Sequence, residues 1–380
     1  MSILIGGDFV PTTSNVELFE NGKIQELFGE RLLEIFGQAD IIIFNLEVPL
    51  ADAKSPIVKC GPILAAPPST INTYKAIGTT ILSLANNHIM DQGEQGLSST
   101  IKTINHEKIR YVGSGNNLED ASKPLFFTCK ETKYGLFACV EHEFSVATED
   151  KPGANAFDPL YTLDQITETK EQCDFLIVLY HGGKEHYRYP SPGLQRVCRR
   201  LIEKGADLVI CQHSHCVGCE ENYKGGKIIY GQGNFLFDYR NEECWENGLL
   251  VRINDNNSID YLPVVKTGNA VRLASEEEST RILSDFMARS EEILDNKAVE
   301  KHYRQFAETM VTPTMLTFLG KESILFRIAN RVSRNRLREF RIRTRYSRSR
   351  GLLKIFNRIC CESWRELTLK SLTTIIDKHN

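Results

Sequence analysis

The chain has 380 residues, 41% of them hydrophobic and 25% charged, with a formal net charge of -3. That is a globular composition, long enough for one large α/β domain plus an appendage, and no disorder class fits it. No segment approaches the ~18 uncharged apolar residues of a membrane span, and the opening MSILIGGDFV has neither a basic leader nor an apolar core with a cleavage site, so the sequence predicts a cytoplasmic protein. In chain order, short apolar or β-branched runs predict strands at MSILIGG, DIIIFNLE, TTILSLA and IRYVGSG, then at YGLFACV, CDFLIVLYH, ADLVICQHSH, KIIYGQGNFLFD, GLLVRIN and IDYLPVVK. Between them, GERLLEIFGQ, GLSSTIKTINHEK and GLQRVCRRLIEKG have helical period. The alternation predicts an α/β layout around a substantially parallel sheet. From about residue 275 the strand signals stop, and EESTRILSDFMARSEEILDNKAVEKHYRQFAE reads as helix.

Charge is unevenly spread. Residues 327–350 hold ten Arg against one Glu, a charge of +9, so the remainder of the chain carries -12. The 11 cysteines, an odd number scattered from Cys60 to Cys361 and several inside apolar runs, fit buried thiols in a reducing compartment better than a disulfide framework. Cys216 and Cys219 form a C-x-x-C, but without a second such pair they read as buried thiols rather than a zinc or redox site.

The strand ends carry the chemistry. Asp8 follows ILIGG, Glu47 follows IIIFNL, Asn87 and His88 follow ILSLAN, His181 follows FLIVLY, and His213 and His215 follow DLVIC. In open α/β folds the carboxyl ends of the strands form the ligand crevice, so polar residues from distant segments converge there. A lone histidine in an apolar setting is usually a satisfied core residue, but four of the nine ending strands together favour a metal site. Mixed Asp, Glu, Asn and His donors suit borderline or hard divalent ions such as Zn, Mn or Fe. Two histidines at i and i+2 in extended backbone would point the same way, so His213 and His215 can reach one metal pair. Asn87 offers an amide oxygen, which leaves the adjacent His88 free to protonate a leaving group. Asn234, in GQGNF, reads as support for the fold near the site.

Together GDF, NLE, LANNH, YHGG and QHSH, in this order, resemble the CapA or poly-gamma-glutamate capsule-synthesis family, a branch of the calcineurin-like metallophosphoesterases. The flanking NLEVPLADAKSPIVKCGPILAAPP, YPSP and IIYGQGNFLFD are similar to that family's signatures, and the resemblance covers roughly residues 3–265. It implies a four-layer αββα sandwich, placed over 1–268, and the helical pattern and the Arg run that follow predict a helical extension over 269–326 and a basic helical tail over 327–380. It also implies two divalent metal ions on Asp8, Glu47, Asn87, His181, His213 and His215, with His88 as general acid. Departures are visible: Val10 stands where the wider superfamily has a second-position His, Glu47 where an Asp is common, and Gly182 and Gly183 where the capsule branch tends to carry Trp.

The resemblance leaves two functions of different classes open. One is a metal-dependent hydrolase of a phosphoester or related bond in capsule or cell-surface polymer synthesis, acting on an anionic small molecule or polymer. The other is a non-catalytic accessory or binding subunit of a polymer synthesis and export complex. The Arg-rich segment, interleaved with Ile328, Val332, Leu337, Phe340, Ile342 and Tyr346, has the pattern of an interfacial membrane helix or of a segment docked on an acidic partner. A solvated helix folded onto the acidic remainder fits as well. No nucleic-acid module accompanies the charge, so nucleic acid is not the expected partner.

Overall fold

A computed structural model describes residues 2–237 and 242–319, with isolated positions between 330 and 372. β1 (Ser2–Phe9), β2 (Ile41–Asn45), β3 (Ile81–Ser83) and β4 (Arg110–Val112) run parallel, side by side. The short β5 (Ser114–Gly115) pairs with β8 (Gly153–Ala154). β6 (Leu125–Cys129), β7 (Thr132–Val140), β9 (Phe175–His181), β10 (Leu208–Gln212), β11 (Glu220–Tyr223) and β12 (Gly226–Tyr230) build a second sheet in the order β11-β12-β10-β9-β7-β6. Its four inner strands are parallel and its two edges antiparallel. The chain then returns to the first sheet through β13 (Asn234–Leu236), β14 (Asn247–Asn254), β15 (Ile259–Thr267) and β16 (Ala270–Leu273), giving the order β16-β15-β14-β1-β2-β3-β4 with β13 also beside β1.

The layers follow from side-chain alternation. On the second sheet Leu136, Ala138, Ile177, Leu179 and Ile210 pack into one core with the first sheet. Their neighbours Phe137, Cys139, Val178 and Val209 face the other way, onto Ile166 of the helix Thr162–Lys170 and Cys198 and Leu201 of the helix Pro192–Glu203. Leu32 and Phe36 of Glu30–Gln38, and Leu97 and Ile104 of Gly93–His106, join the core of the first sheet. Each sheet is therefore covered on both faces, as runs of uninterrupted apolar residues require. The result is the four-layer αββα sandwich.

Two features hold the end of β1. A Cβ at Gly7 would lie 2.1 Å from the Gly233 carbonyl oxygen, so glycine is what lets β13 approach. The register of β1 against β2 shifts between Ile5 and Asp8. Side-chain amides serve the carbonyls there: Gln212 donates to Gly6 O at 3.2 Å across the two sheets, and Gln232 donates to Ile5 O. Beyond Asp8, the Phe9 ring is buried among Phe19, Phe28, Phe44, Tyr74 and Phe235, with centroid distances of 4.4 to 5.9 Å. Asp8 is thus held by a packed aromatic neighbour on one side and a glycine contact on the other.

Residues Met1–Tyr303 form one compact unit and Arg304–Asn380 a second. β16 lies inside the segment expected to open the helical extension. The helix expected from Glu277 is two helices, Glu276–Glu292 and Asn296–Leu319. The first has a capping box at Ser275 and Glu278, and its Phe286 packs on Tyr261 with ring centroids 5.0 Å apart. Asp295 accepts the Lys297 amide at 2.9 Å and so restarts the second. Among the described residues no helix is long and apolar enough to cross a membrane. Apart from a few positions, the Arg-rich segment 327–350 lies outside the described residues.

Candidate metal centre

Parallel strand ends bring the expected ligands together. Asp8 on β1 is in register with Asn45 on β2, and His181 on β9 with Gln212 on β10. Asn45 Nδ2 donates to Asp8 Oδ1 at 2.7 Å and lies 3.3 Å from His181 Nδ1. Ligand atoms of Glu47, His181 and His213 lie within 4.8 Å of one another, and so do those of Asp8, Glu47 and His215. Glu47 belongs to both groups. Asn87 Oδ1 is 3.0 Å from His181 Nε2. All six residues are buried.

One expectation is corrected here. His213 and His215 do not sit in extended backbone: β10 ends at Gln212, and the two histidines have φ of 84° and 57°. Left-handed backbone at a non-glycine residue costs of order 1–3 kcal/mol and persists only where the surroundings impose it. Here it sends the rings, 6.2 Å apart, to different groups: His213 toward Glu47 and His181, His215 toward Asp8 and Glu47.

The electrostatics fit a cation. Both Glu47 carboxylate oxygens are buried without a hydrogen-bond partner, and the approach of His181 Nε2 to Oε1 is 3.4 Å. A buried carboxylate left in that state is costly unless a positive charge meets it. Burial alone would raise the Asp8 carboxyl, yet the hydrogen bond with His215 and the charge of His181 bring it down to about 2. Burial likewise opposes charge on His215, but the Asp8 hydrogen bond and the Glu47 carboxylate lift it to about 9. His181 is raised by Glu47 against its own burial, whereas burial and the two neighbouring imidazoles push His213 well down. Oxygen and nitrogen donors without a thiolate suit Mn, Zn or Fe, so these residues fit the implied ions.

His88 is held apart from this group. Its Nδ1 lies 2.6 Å from Asp91 Oδ2, which also accepts the Leu64 amide at 2.7 Å, while Asp91 Oδ1 accepts from Lys59 Nζ at 2.6 Å. Lys59 Nζ also donates to the Asn87 carbonyl at 3.2 Å. Neither Asp91 nor Lys59 was singled out in the sequence, although the spacing Asn-Asn-His-x-x-Asp within one turn could have pointed to Asp91. The first amide of that triplet is scaffold: Asn86 Nδ2 donates to Asn45 Oδ1 at 3.1 Å and to Leu46 O at 2.9 Å. Asn234 Oδ1 lies 2.8 Å from His215 Nδ1.

The sequence pattern of the family described as "Bacterial capsule synthesis protein PGA_cap" matches residues 2–239. The chain belongs to that family. It is 28% identical over 229 residues to a "Capsule biosynthesis protein CapA" of Bacillus anthracis, covering 58% of this chain and 56% of that one. To a "PGA biosynthesis protein CapA" of Bacillus subtilis it is 29% identical over 211 residues, covering 54% and 55%. The chain spans about half the length of the curated relatives it matches. A solved structure titled a novel phosphatase, from Mycoplasma pneumoniae, has a TM-score of 0.45 and 15% identity over 70% of this chain and 94% of that one, a likeness that carries no argument.

In this PGA_cap chain the centre opens into a cavity of about 440 Å³ lined by the loop Lys59–Ala65, Asn87, His88, His215 and Trp245. The Trp245 indole stacks on His215, with centroids 4.5 Å apart and planes at 25°. Gly182 and Gly183 leave no indole after His181, and an indole reaches the cavity from this distant segment instead. Val10 is fully buried and donates its amide to Leu236 O at 2.8 Å, so the position is structural here. Glu143 and Glu185 approach His213 Nε2 at 3.9 and 4.0 Å, two further carboxylates not foreseen in the sequence.

Proposed function

We propose that this chain is a metal-dependent hydrolase of a phosphoester or related bond, acting in capsule or cell-surface polymer synthesis at the cytoplasmic face. The observation that supports it most is Glu47, a buried carboxylate shared by two ligand groups with neither oxygen hydrogen-bonded. Asp8, His215 and Glu47 would hold one divalent ion, and Glu47, His181, His213 and Asn87 the other. Bound there, such ions lower the pKa of water and polarise a phosphoryl oxygen. The rest belongs to the chain. Asp91 holds the Nδ1 edge of His88, so the ring can offer a proton only through Nε2. The cavity wall from Lys59 to Ala65 confines an anionic small molecule or polymer end beside it. Manganese analysis of the loaded protein, followed by an aryl-phosphate assay with Mn or Zn, tests the reading: about two manganese ions per chain with turnover is the expected result, and a metal-loaded protein without turnover defeats it. That second outcome would favour a non-catalytic accessory subunit, a reading supported by Glu143 and Glu185, whose carboxylates beside His213 would repel an anion.

A further inference from the structure

The cysteine pair singled out in the sequence has a different neighbour. Cys216 is buried and lies near the half-buried Cys244. The Cys244 sulfur, a ring nitrogen of His186 and a carboxylate oxygen of Glu242 lie within 4.8 Å of one another. None of the three belongs to the centre formed by the strand ends. His186 and Glu242 are exposed and Cys244 half-buried, so an ion can reach them from solvent. His186 and Trp245, the residue after Cys244, both line the cavity beside His88.

We propose that His186, Glu242 and Cys244 form a separate divalent-cation site at the rim of this cavity, with zinc-like rather than manganese-like selectivity. The chemistry of the donors argues for the selectivity: imidazole, carboxylate and thiolate together suit zinc, and a thiolate disfavours manganese and magnesium. As the metal–sulfur bond forms, the Cys244 thiol gives its proton to solvent. Three protein donors leave one position of a tetrahedral ion for water or another ligand.

The site is wired to the wall of the cavity by Trp245. Its Nε1–H donates to His186 Nε2 at 3.3 Å, and its ring stacks on His215. An ion bound through His186 Nε2 takes the acceptor from Trp245. One bound through Nδ1 obliges Nε2 to carry the proton, which removes the acceptor too. Either way the indole loses that hydrogen bond, so rim binding is reported by Trp245.

The test uses the full chain, reduced with a phosphine and first saturated with manganese. Cadmium is then titrated while the ultraviolet thiolate-to-metal charge-transfer band is followed. The strand-end centre contains no sulfur, but other thiols such as the exposed Cys60 also bind cadmium, so the rim is read as the difference between the parent band and that of Cys244→Ser. A difference band that saturates near one equivalent is expected, shifted to about tenfold or more higher cadmium in His186→Gln and Glu242→Gln. The last two replace exposed side chains and keep the protein folded if Cys244→Ser does not. In a Trp364→Phe background, leaving Trp245 as the sole tryptophan, its emission should change with the same midpoint. No difference between the parent and Cys244→Ser bands, or midpoints unmoved in the other two variants, would overturn the proposal, whether or not the protein hydrolyses anything.

Discussion

Lys59 Nζ lies 2.6 Å from Asp91 Oδ1, and the two side chains are 2% and 0% exposed. A buried pair of this kind is most costly when one partner alone is removed, about 3–5 kcal/mol, because the other charge stays buried without its counterion. Lys59→Met is therefore expected to destabilise the fold by that amount in urea denaturation, and Lys59→Met with Asp91→Asn by clearly less than the sum of the two single changes. Additive losses would show that the two side chains act independently.

His88 touches Asp91 but is not among the residues grouped as ligands. If the chain turns over a phosphoester, His88→Ala should lower kcat by roughly 10²- to 10⁴-fold, the range for losing a general acid, with metal content retained. Metal falling in step with the rate would make His88 a ligand.

Glu47→Gln separates binding from stability. Because Glu47 is common to both ligand groups, the variant should lose both ions, whereas His213→Ala should lower occupancy of one. In the presence of a chelator the Gln variant should lose less melting temperature between pH 7 and pH 9 than the parent, since His215 loses a carboxylate that helps hold its proton. Metal analysis and paired melting curves check both halves.

The chelated protein should respond to pH through His215. Its folded-state value of about 9 is above the ordinary 6.5, so protonation stabilises the fold fully below about 6.5 and that contribution is lost as pH rises through 9. Asp8 works at the other end: held at about 2 against 3.8, it stabilises above 3.8 and fails as pH falls toward 2. The metal-free protein is thus expected to melt lower at pH 9 than at pH 7, and His215→Gln to remove most of that difference. Metal binding at pH 7 should release protons, read by calorimetry in buffers of different ionisation enthalpy.

The Arg-rich segment 327–350 is proposed as a peripheral attachment to anionic membrane. The full chain should co-sediment with anionic but not neutral vesicles at low salt, and truncation after Leu325 should abolish this while leaving metal binding intact. Equal sedimentation of both forms would return the segment to an ordinary surface.

The order of strands and the polar residues that end them were legible in the sequence, because an apolar run is a local signal and its last polar residue marks where burial ends. Asp8, Glu47, Asn87, His88, His181, His213 and His215 were all found that way. Of the edge strands β4 was read in IRYVGSG, but β6, β11 and β16 were not: they are short and only partly buried. Tertiary structure alone decided how His213 and His215 point, since a left-handed backbone is imposed by surroundings and leaves no trace in side-chain alternation. It also decided which charges meet. Lys59 reaches Asp91, and Trp245 reaches His215, only because loops between the strands fold back over the strand ends, and no spacing in the chain encodes contacts formed by that return.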